Sequence, residues 1–185
     1  MSSTSLNKKQ QTKNKKQITK KQNILKELIA TEIGSLHSNS NIHRILDGTW
    51  SLYELIDYVI DTTGTVDAFI TSFSISEAAI CTFQQMLEDG RLKSLRCLLD
   101  NSLRKTKTSL LFFLHNTGAD LRLSLNHSKI ILLHNDSWKI SINASANMSR
   151  NRRIEALVLS SEVSTFNYYH FELLKLFQLS VPFLP

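Results

Sequence analysis

The chain of 185 residues has the length of one ordinary domain with an appendage. Its hydrophobic share of 42% and charged share of 21% are those of a globular protein, and five Gly and two Pro residues exclude collagen-like or Pro-rich disordered sequence. Apolar runs such as residues 109–115 fall far short of the roughly 20 residues that span a bilayer. Since no secretory signal is visible either, we expect a soluble, cytoplasmic protein.

Positive charge is concentrated at the start of the chain. Residues 1–22 contain seven of the 22 basic residues and no acidic residue, which leaves 15 basic against 16 acidic residues elsewhere. A polar tract with so few apolar residues cannot offset the entropy of ordering, so we expect a disordered basic tail. Its lysines are Lys8, Lys9, Lys13, Lys15, Lys16, Lys20 and Lys21. The tail serves either solubility or the binding of a polyanion such as nucleic acid; a membrane is less favoured, because no apolar anchoring face accompanies the charge.

Hydrophobic periodicity predicts the elements of the body in chain order. An apolar stripe from Ile24 to Ile33 predicts a helix ending at Gly34, and a Ser/Asn-rich link follows, so residues 23–50 are assigned to a peripheral helix and linker. Residues 51–185 form the main domain. Helices are predicted at 51–64, 74–90, 107–118 and 162–178, and strands at 66–73, 92–100, 119–125 and 153–160, with a hairpin of two strands before the last strand.

This alternation predicts an α/β fold with a mixed β-sheet flanked by helices on both faces. The helix at 74–90 has an apparent capping box formed by Ser74 and Glu77, and Gly90 supplies its stop. The two cysteines, Cys81 and Cys97, lack metal-binding spacing. We therefore expect buried free thiols and no metal site.

Polar side chains stand at the ends of the predicted hairpin. Side chains two apart on a strand point the same way, so His127 and Lys129 share one face. Ser145 and Asn147 are matched in the same fashion if the second strand or its extended continuation reaches them. A nucleophile, a fixed cation and an amide donor would then converge where an anionic group can be held and attacked. Glu155, near the start of the next strand, is a carboxylate able to orient the imidazole.

The position of the turn decides which residues lie opposite one another. A two-residue loop at Asn135 and Asp136 places His127 opposite Ala144, whereas a loop one residue later places it opposite Ala146. Either register brings the imidazole beside the serine and the asparagine. The same residues also admit a structural interpretation, because histidine, serine and asparagine are common at strand ends and a lysine stem can extend along apolar surface. Their order, parity and proximity favour the functional interpretation.

The order H-x-K, strand, turn, strand, small-Ser-x-Asn and a downstream acid resembles the motif of the phospholipase D superfamily. Residues 127–129 (HSK) match H-x-K, and residues 144–147 (ASAN) match Gly-Ser-x-Asn with Ala144 in place of Gly. The family's Asp after the lysine is His134 here, with Asp136 two places further on. The similarity covers about residues 52 to 179 and implies one phospholipase D-like half.

The resemblance implies a role for each residue of the motif. His127 would attack the phosphorus of a phosphodiester to give a phosphohistidine, while Lys129 and Asn147 bind the non-bridging oxygens. Ser145 would support the pocket and Glu155 would hold the imidazole. No metal or other cofactor is implied, since the lysine and asparagine take the charge-stabilising role of a cation.

The chemistry needs two histidines, one as nucleophile and one as the acid for the leaving group. The chain contains a single H-x-K, so the second half of the site is expected from another molecule, in a two-fold homodimer. The leading hypothesis is thus a metal-independent phosphodiesterase that cleaves DNA or RNA, similar to small bacterial single-motif nucleases of the superfamily.

Two other functions remain open. One is a catalytically weak or inactive nucleic-acid-binding or regulatory protein of the same fold, supported only by His134 and Ala144 at positions where the family has Asp and Gly. The other is hydrolysis of a membrane lipid, which would need an exposed apolar rim. Residues 181–185 are too short an apolar segment to provide that rim, so we do not expect a lipid partner.

Overall fold

A computed structural model of the protein describes residues 22–184. The chain divides into two compact units, which separate between residues 35 and 36. The described part of the first unit is helix α1, residues 22–33, which ends as predicted where the Gly34 N–H donates to Ala30 O at 2.9 Å. Residues 1–21 of the predicted basic tail, including its seven lysines, lie outside the described residues.

The described part of the second unit is built around one mixed sheet of eight strands. The strands are β1 (Asn41–Leu46), β2 (Val66–Ser72), β3 (Leu92–Asp100), β4 (Asp120–Ser124), β5 (Ile130–His134), β6 (Lys139–Ala144), β7 (Glu155–Ser160) and β8 (Val181–Pro182). The helices are α2 (Leu52–Thr63), α3 (Glu77–Glu88), α4 (Leu103–Thr106), α5 (Thr108–Asn116) and α6 (Val163–Leu179). The strand order is β1-β7-β6-β5-β2-β3-β4-β8; β2, β3 and β4 are parallel, and the other neighbours are antiparallel.

Helices cover both faces of this sheet, which confirms the predicted α/β class. On one face, α6 packs onto β2, β3 and β5 through a cluster formed by Phe69, Leu98, Leu132, Phe166, Leu173 and Phe177. The residues that alternate with these, such as Ile70 and Ile131, are fully buried on the other face, where α3 and α5 lie against β3 and β4. No helix of the described chain is both long and apolar enough to cross a membrane.

The two cysteines differ in environment. Cys97 lies on β3 and is buried as expected, and burial raises the pKa of its thiol. Cys81 was also expected to be buried, but it is exposed on α3. Its helix buries the stripe that contains Ile80 and Phe83 instead, which turns the thiol outward.

The sheet extends further at both edges than the sequence indicated. β1 lies within the segment assigned to the linker and pairs with β7 along its whole length. Most of its side chains are exposed, so the strand lacks the apolar alternation that makes a half-buried strand visible in sequence. β8 comprises two residues that pair with β4, and a strand this short gives no periodic signal.

The predicted cap of α3 is displaced by two residues. Ser76, and not Ser74, is the N-cap, and its Oγ accepts from the Ala79 N–H at 3.3 Å. The Ser74 hydroxyl instead accepts from Lys107 Nζ at 2.9 Å. The segment S-I-S-E offers two candidate serines, and the helix uses the one that lies directly before its first residue, Glu77.

A glycine controls the approach of the β1–α2 loop to the segment that leads into β7. Gly48 has a φ of +85°, and a Cβ atom there would lie 2.3 Å from Asn151 O and 2.7 Å from Arg152 Cα. These are backbone atoms, so no side-chain rotation could relieve the overlap. The packing of these two segments therefore requires a residue without a Cβ atom.

We expect Gly48→Ala to lower the free energy of unfolding by about 1–3 kcal/mol more than Gly118→Ala. Gly118 has a φ of +86° and no atom within 4 Å of its would-be Cβ, so it shares the backbone strain without the overlap. Urea unfolding of both variants measures the difference. If both variants lose the same unfolding free energy, the β1–α2 loop and the segment that leads into β7 move apart without an energetic cost.

Candidate active site

The polar residues singled out in the sequence lie at one end of the sheet. The parallel strands β2 and β3 end there, and β5 begins there because it runs antiparallel to β2. β6 ends and β7 begins at the same end, since each is antiparallel to its neighbour. Ligands of open α/β sheets characteristically bind at the carboxyl ends of parallel strands.

The hairpin adopts the second of the two predicted registers. Ile130 lies opposite Asn143, and the Ala144 N–H donates to Lys129 O at 3.0 Å, so the ladder continues past the start of β5. Extending this register places His127 opposite Ala146. His127 and Lys129 thus precede the strand proper, but their backbone continues its line.

His127 and Lys129 are brought into direct contact. Lys129 Nζ lies 3.1 Å from His127 Nδ1 and donates to His127 O at 2.7 Å. The lysine is buried, with a relative exposure of 7%, and among the described residues it forms no ion pair with a carboxylate. Burial lowers the pKa of Lys129, and the negative charge of Glu155 opposes this effect. A buried ammonium with only neutral acceptors keeps most of its attraction for an added anion.

The imidazole of His127 faces the solvent. Its only described aromatic neighbour is Phe73, whose ring centroid lies 5.0 Å from that of the histidine. A protonated Lys129 would donate to Nδ1, and a neutral imidazole would then carry its proton on Nε2. Attack by Nε2 requires the tautomer with the proton on Nδ1, and that proton needs another acceptor.

Glu155 does not supply that acceptor within the described chain, contrary to the expected contact with His127. Its carboxylate accepts from Ser145 Oγ and, at 3.3 Å, from Asn151 Nδ2. The Ser145 hydroxyl also accepts from the Ala156 N–H at 2.9 Å. The physical reason is local: the Ser145 hydroxyl and the Asn151 amide lie nearer to the carboxylate and occupy it.

Asn147 carries an unsatisfied polar atom. Its Oδ1 is buried and has no hydrogen-bond partner among the described residues. A buried amide oxygen left unpaired costs about 1–3 kcal/mol. The adjacent backbone is nevertheless fixed, because the Met148 N–H donates to Ser72 Oγ at 3.0 Å and the Ser76 N–H donates to Met148 O at 3.0 Å. This attachment holds the end of the hairpin against the end of β2.

The His127 loop is held in position by residues that the sequence pattern did not single out. Thr71 Oγ1 accepts from the Ile130 N–H at 2.9 Å and from Ser128 Oγ at 2.8 Å. Asn126 is buried, and its N–H donates to Asp100 Oδ2 at 3.0 Å. An asparagine directly before His127 was the available signal, because asparagine side chains commonly bond to nearby backbone in turns.

His134, where the resemblance led us to expect an Asp, lies at the far end of β5. It is five positions along the chain from Lys129, a distance of about 16 Å. Its ring contacts Phe166 and His170, with centroid distances of 5.5 and 5.9 Å. The replacement therefore lies well away from the cluster around His127. Within residues 22–184, no group of three His, Cys, Asp or Glu side chains is placed to ligate one metal ion.

Neither protein-family models nor curated protein sequences match the chain. Solved structures do. Nuc from Salmonella typhimurium, a phospholipase D family member, aligns with a TM-score of 0.62 and 15% identity, over 79% of this chain and 100% of its own. NucT from Helicobacter pylori aligns with a TM-score of 0.59 and 15% identity, over 78% of this chain and 100% of its own.

A third similar structure is TrmBL2, an archaeal chromatin protein described as showing a novel mode of DNA binding. It aligns with a TM-score of 0.53 and 10% identity, over 96% of this chain and 67% of its own. Identities this low establish a shared fold and no more. The chain thus shares its fold with Nuc, a phospholipase D family member, and with NucT.

Proposed function

We propose that the protein is a metal-independent phosphodiesterase that cleaves nucleic acid through a phosphohistidine on His127. The observation that carries the proposal is the buried Lys129 ammonium, which touches the exposed imidazole and has no carboxylate in contact among the described residues. A phosphate beside this imidazole would supply the missing negative charge. Preorganised charge of this kind is commonly the largest single contribution to catalysis.

The proposed reaction has two displacements at phosphorus. His127 Nε2 forms the N–P bond as the bond to the leaving oxygen breaks, and a second imidazole gives that oxygen its proton. Water then attacks the phosphohistidine, giving its proton to the second imidazole and releasing His127. Lys129 and the amide NH₂ of Asn147 bind the non-bridging oxygens, and burial of the asparagine's Oδ1 leaves that NH₂ as its available group.

A second protomer is needed for this sequence of steps. The chain has one H-x-K, so one protomer supplies a single imidazole of this kind. Its Glu155 is occupied by Ser145 and Asn151, which leaves the His127 Nδ1 proton without a carboxylate acceptor among the described residues. Two large apolar side chains flank the cluster in solvent: Leu125 is 94% exposed and Ile154 is 79% exposed. Their position supports a two-fold interface that covers this end of the sheet.

Nucleic acid is the proposed substrate. The similarity to Nuc and NucT supports it, as do the seven lysines of residues 1–22. The alternative is a nucleic-acid-binding protein without turnover. The engagement of the Glu155 carboxylate by Ser145 and Asn151 favours that alternative, since a protomer without an acceptor for the His127 Nδ1 proton would hold an anion without attacking it. The fold that the chain shares with the DNA-binding TrmBL2 is compatible with it.

We expect His127→Asn to reduce hydrolysis of bis(p-nitrophenyl) phosphate and of DNA in excess chelator by about 10³-fold or more, because it removes the nucleophile. The matched control is His134→Asn, a histidine at the other end of β5, which should stay within a few fold of the parent. Rapid quenching and mass spectrometry should detect, on residue 127 of the parent protein alone, a phosphoryl group that still carries the remaining ester of the substrate. Full activity of His127→Asn would contradict the proposed enzymatic function. If the parent and the variant bind DNA equally well and neither hydrolyses it, the alternative of a binding protein without turnover is favoured.

Lys129→Met is expected to raise the free energy of unfolding by up to about 1 kcal/mol while lowering activity by about 100-fold or more. Methionine fills the same space without a buried charge. The pKa of Lys129 is lowered in the folded state, so the stability advantage of the variant should shrink as pH rises through that pKa toward 10.5, where the parent loses its buried charge. Urea unfolding at several pH values measures this.

Lys93→Met is the control for this series, because Lys93 is exposed at the start of β3 and should change stability by less than about 0.5 kcal/mol. A clear loss of stability in Lys129→Met would identify the ammonium as a structural group.

Dilution should lower the specific activity once the protein concentration falls below the dimer dissociation constant. The shared site predicts that the activity curve and the dimer fraction from analytical ultracentrifugation have the same midpoint. A monomer with full specific activity would exclude a site composed of two protomers.

A further inference from the structure

An arginine-rich loop lies between Asn147 and β7. Residues 149–154 have the sequence S-R-N-R-R-I, and all three arginines are exposed. This is a concentration of positive charge within the folded body, separate from the lysines of residues 1–22. The proposed catalytic steps do not use it.

The three arginines differ in their contacts. Arg150 is engaged within the fold, since its guanidinium donates to Thr49 O at 2.6 Å and lies 3.8 Å from Glu54 Oε2. The guanidinium groups of Arg152 and Arg153 form no hydrogen bond or ion pair with any residue between 22 and 184; only the Arg153 backbone N–H is bonded, to Asn151 Oδ1 at 2.8 Å. Two cations are therefore directed to solvent without a partner in the described chain.

The backbone that carries these two arginines is held firmly. The close approach of Gly48 to the backbone of residues 151 and 152 fixes the loop from one side. Asn151 fixes it from within, because its side chain accepts from the Arg153 N–H and donates to Glu155 Oε1 at 3.3 Å. The arginines are thus presented from a defined position, which lowers the entropy lost when they bind a ligand.

The loop also lies next to the candidate phosphate site. Arg153 lines a small crevice together with Ser149, Asn151 and Glu155, and the last of these accepts from Ser145. The strand order β7-β6-β5 puts the loop, the Ser145–Asn147 segment and His127 side by side, with about 5 Å between neighbouring strands. A chain of phosphates crossing this end of the sheet from His127 toward β7 would pass beside the arginines.

We propose that Arg152 and Arg153 bind the backbone phosphates that neighbour the scissile phosphate of a nucleic-acid strand. This inference rests on the proposed function for the location of the scissile phosphate. The scissile group already has Lys129 and Asn147, so two more guanidinium groups fit a ligand with repeated phosphates, to which arginine binds through paired hydrogen bonds. The loop, together with any contribution from the basic tail, makes the protein selective for polymers over small diesters.

The test is equilibrium binding of a labelled single-stranded oligothymidylate by the full chain over a range of potassium chloride concentrations. In Arg152→Ala/Arg153→Ala, we expect about tenfold weaker binding near physiological salt and a loss of about 0.7 from the salt slope for each phosphate contact removed. Arg152→Lys/Arg153→Lys keeps the charge and should retain most of the slope. Lys93→Ala removes an exposed cation from the opposite end of the sheet and should alter binding less than either arginine change.

Hydrolysis separates this inference from the proposed function. The ratio of kcat/KM for a thymidine dinucleotide with a terminal phosphate to that without one should exceed 1 in the parent and fall toward 1 in the double alanine variant. If His127→Asn hydrolyses as well as the parent, the proposed function fails, but a reduced salt slope in the arginine variants still supports the loop as a phosphate-binding site. Unchanged affinity and slope in the double alanine variant would overturn the inference. So would loss of binding to phosphatidylglycerol vesicles with oligonucleotide binding retained, since the loop would then serve a lipid surface.

Discussion

The register between β5 and β6 is the constraint on which the candidate site depends. Successive side chains of a strand point to opposite faces, so a slip of one residue would turn His127 and Lys129 together to the face opposite Asn147. The register is fixed at the far end of the hairpin by Asn135. Its Oδ1 accepts from two N–H groups of the turn, and its Nδ2 donates to Thr63 O at 2.9 Å and to Thr65 O at 3.1 Å. One side chain thus joins the turn to the end of α2.

The site is stabilised by its surroundings more than by its own contacts. Lys129 is a buried cation with neutral partners, and Asn147 has a buried oxygen without any partner in the described chain, so both oppose folding. The surrounding bonds from Thr71 to the start of β5 and from Ser72 to Met148 hold these groups together. Such uncompensated polarity is common where a protein keeps groups available for a ligand.

The order of strands and helices could be predicted because nearly every major element buries an apolar face with a visible period. The strand β1 could not be predicted, since most of its side chains are exposed and give no apolar period. Sequence alone left two hairpin registers, because the bonds of Asn135 to residues 63 and 65 join segments distant in the chain. Strand parity correctly placed His127 and Lys129 together, but it could not show that Ser145 and Asn151 occupy the Glu155 carboxylate. The sequence shows three arginines in the loop before β7, but it does not show that they differ. In the structure Arg150 is bound to Thr49, whereas the guanidinium groups of Arg152 and Arg153 have no partner in the described chain.

The outermost strands of the sheet come from opposite extremities of the second unit. β1 covers the edge of β7, and β8, which contains Pro182, covers part of the edge of β4. An uncovered edge presents unpaired N–H and C=O groups to other molecules. Truncated variants that omit either strand would expose a strand edge to other molecules. Aggregation of such variants would reflect the loss of edge pairing rather than a defect elsewhere in the fold.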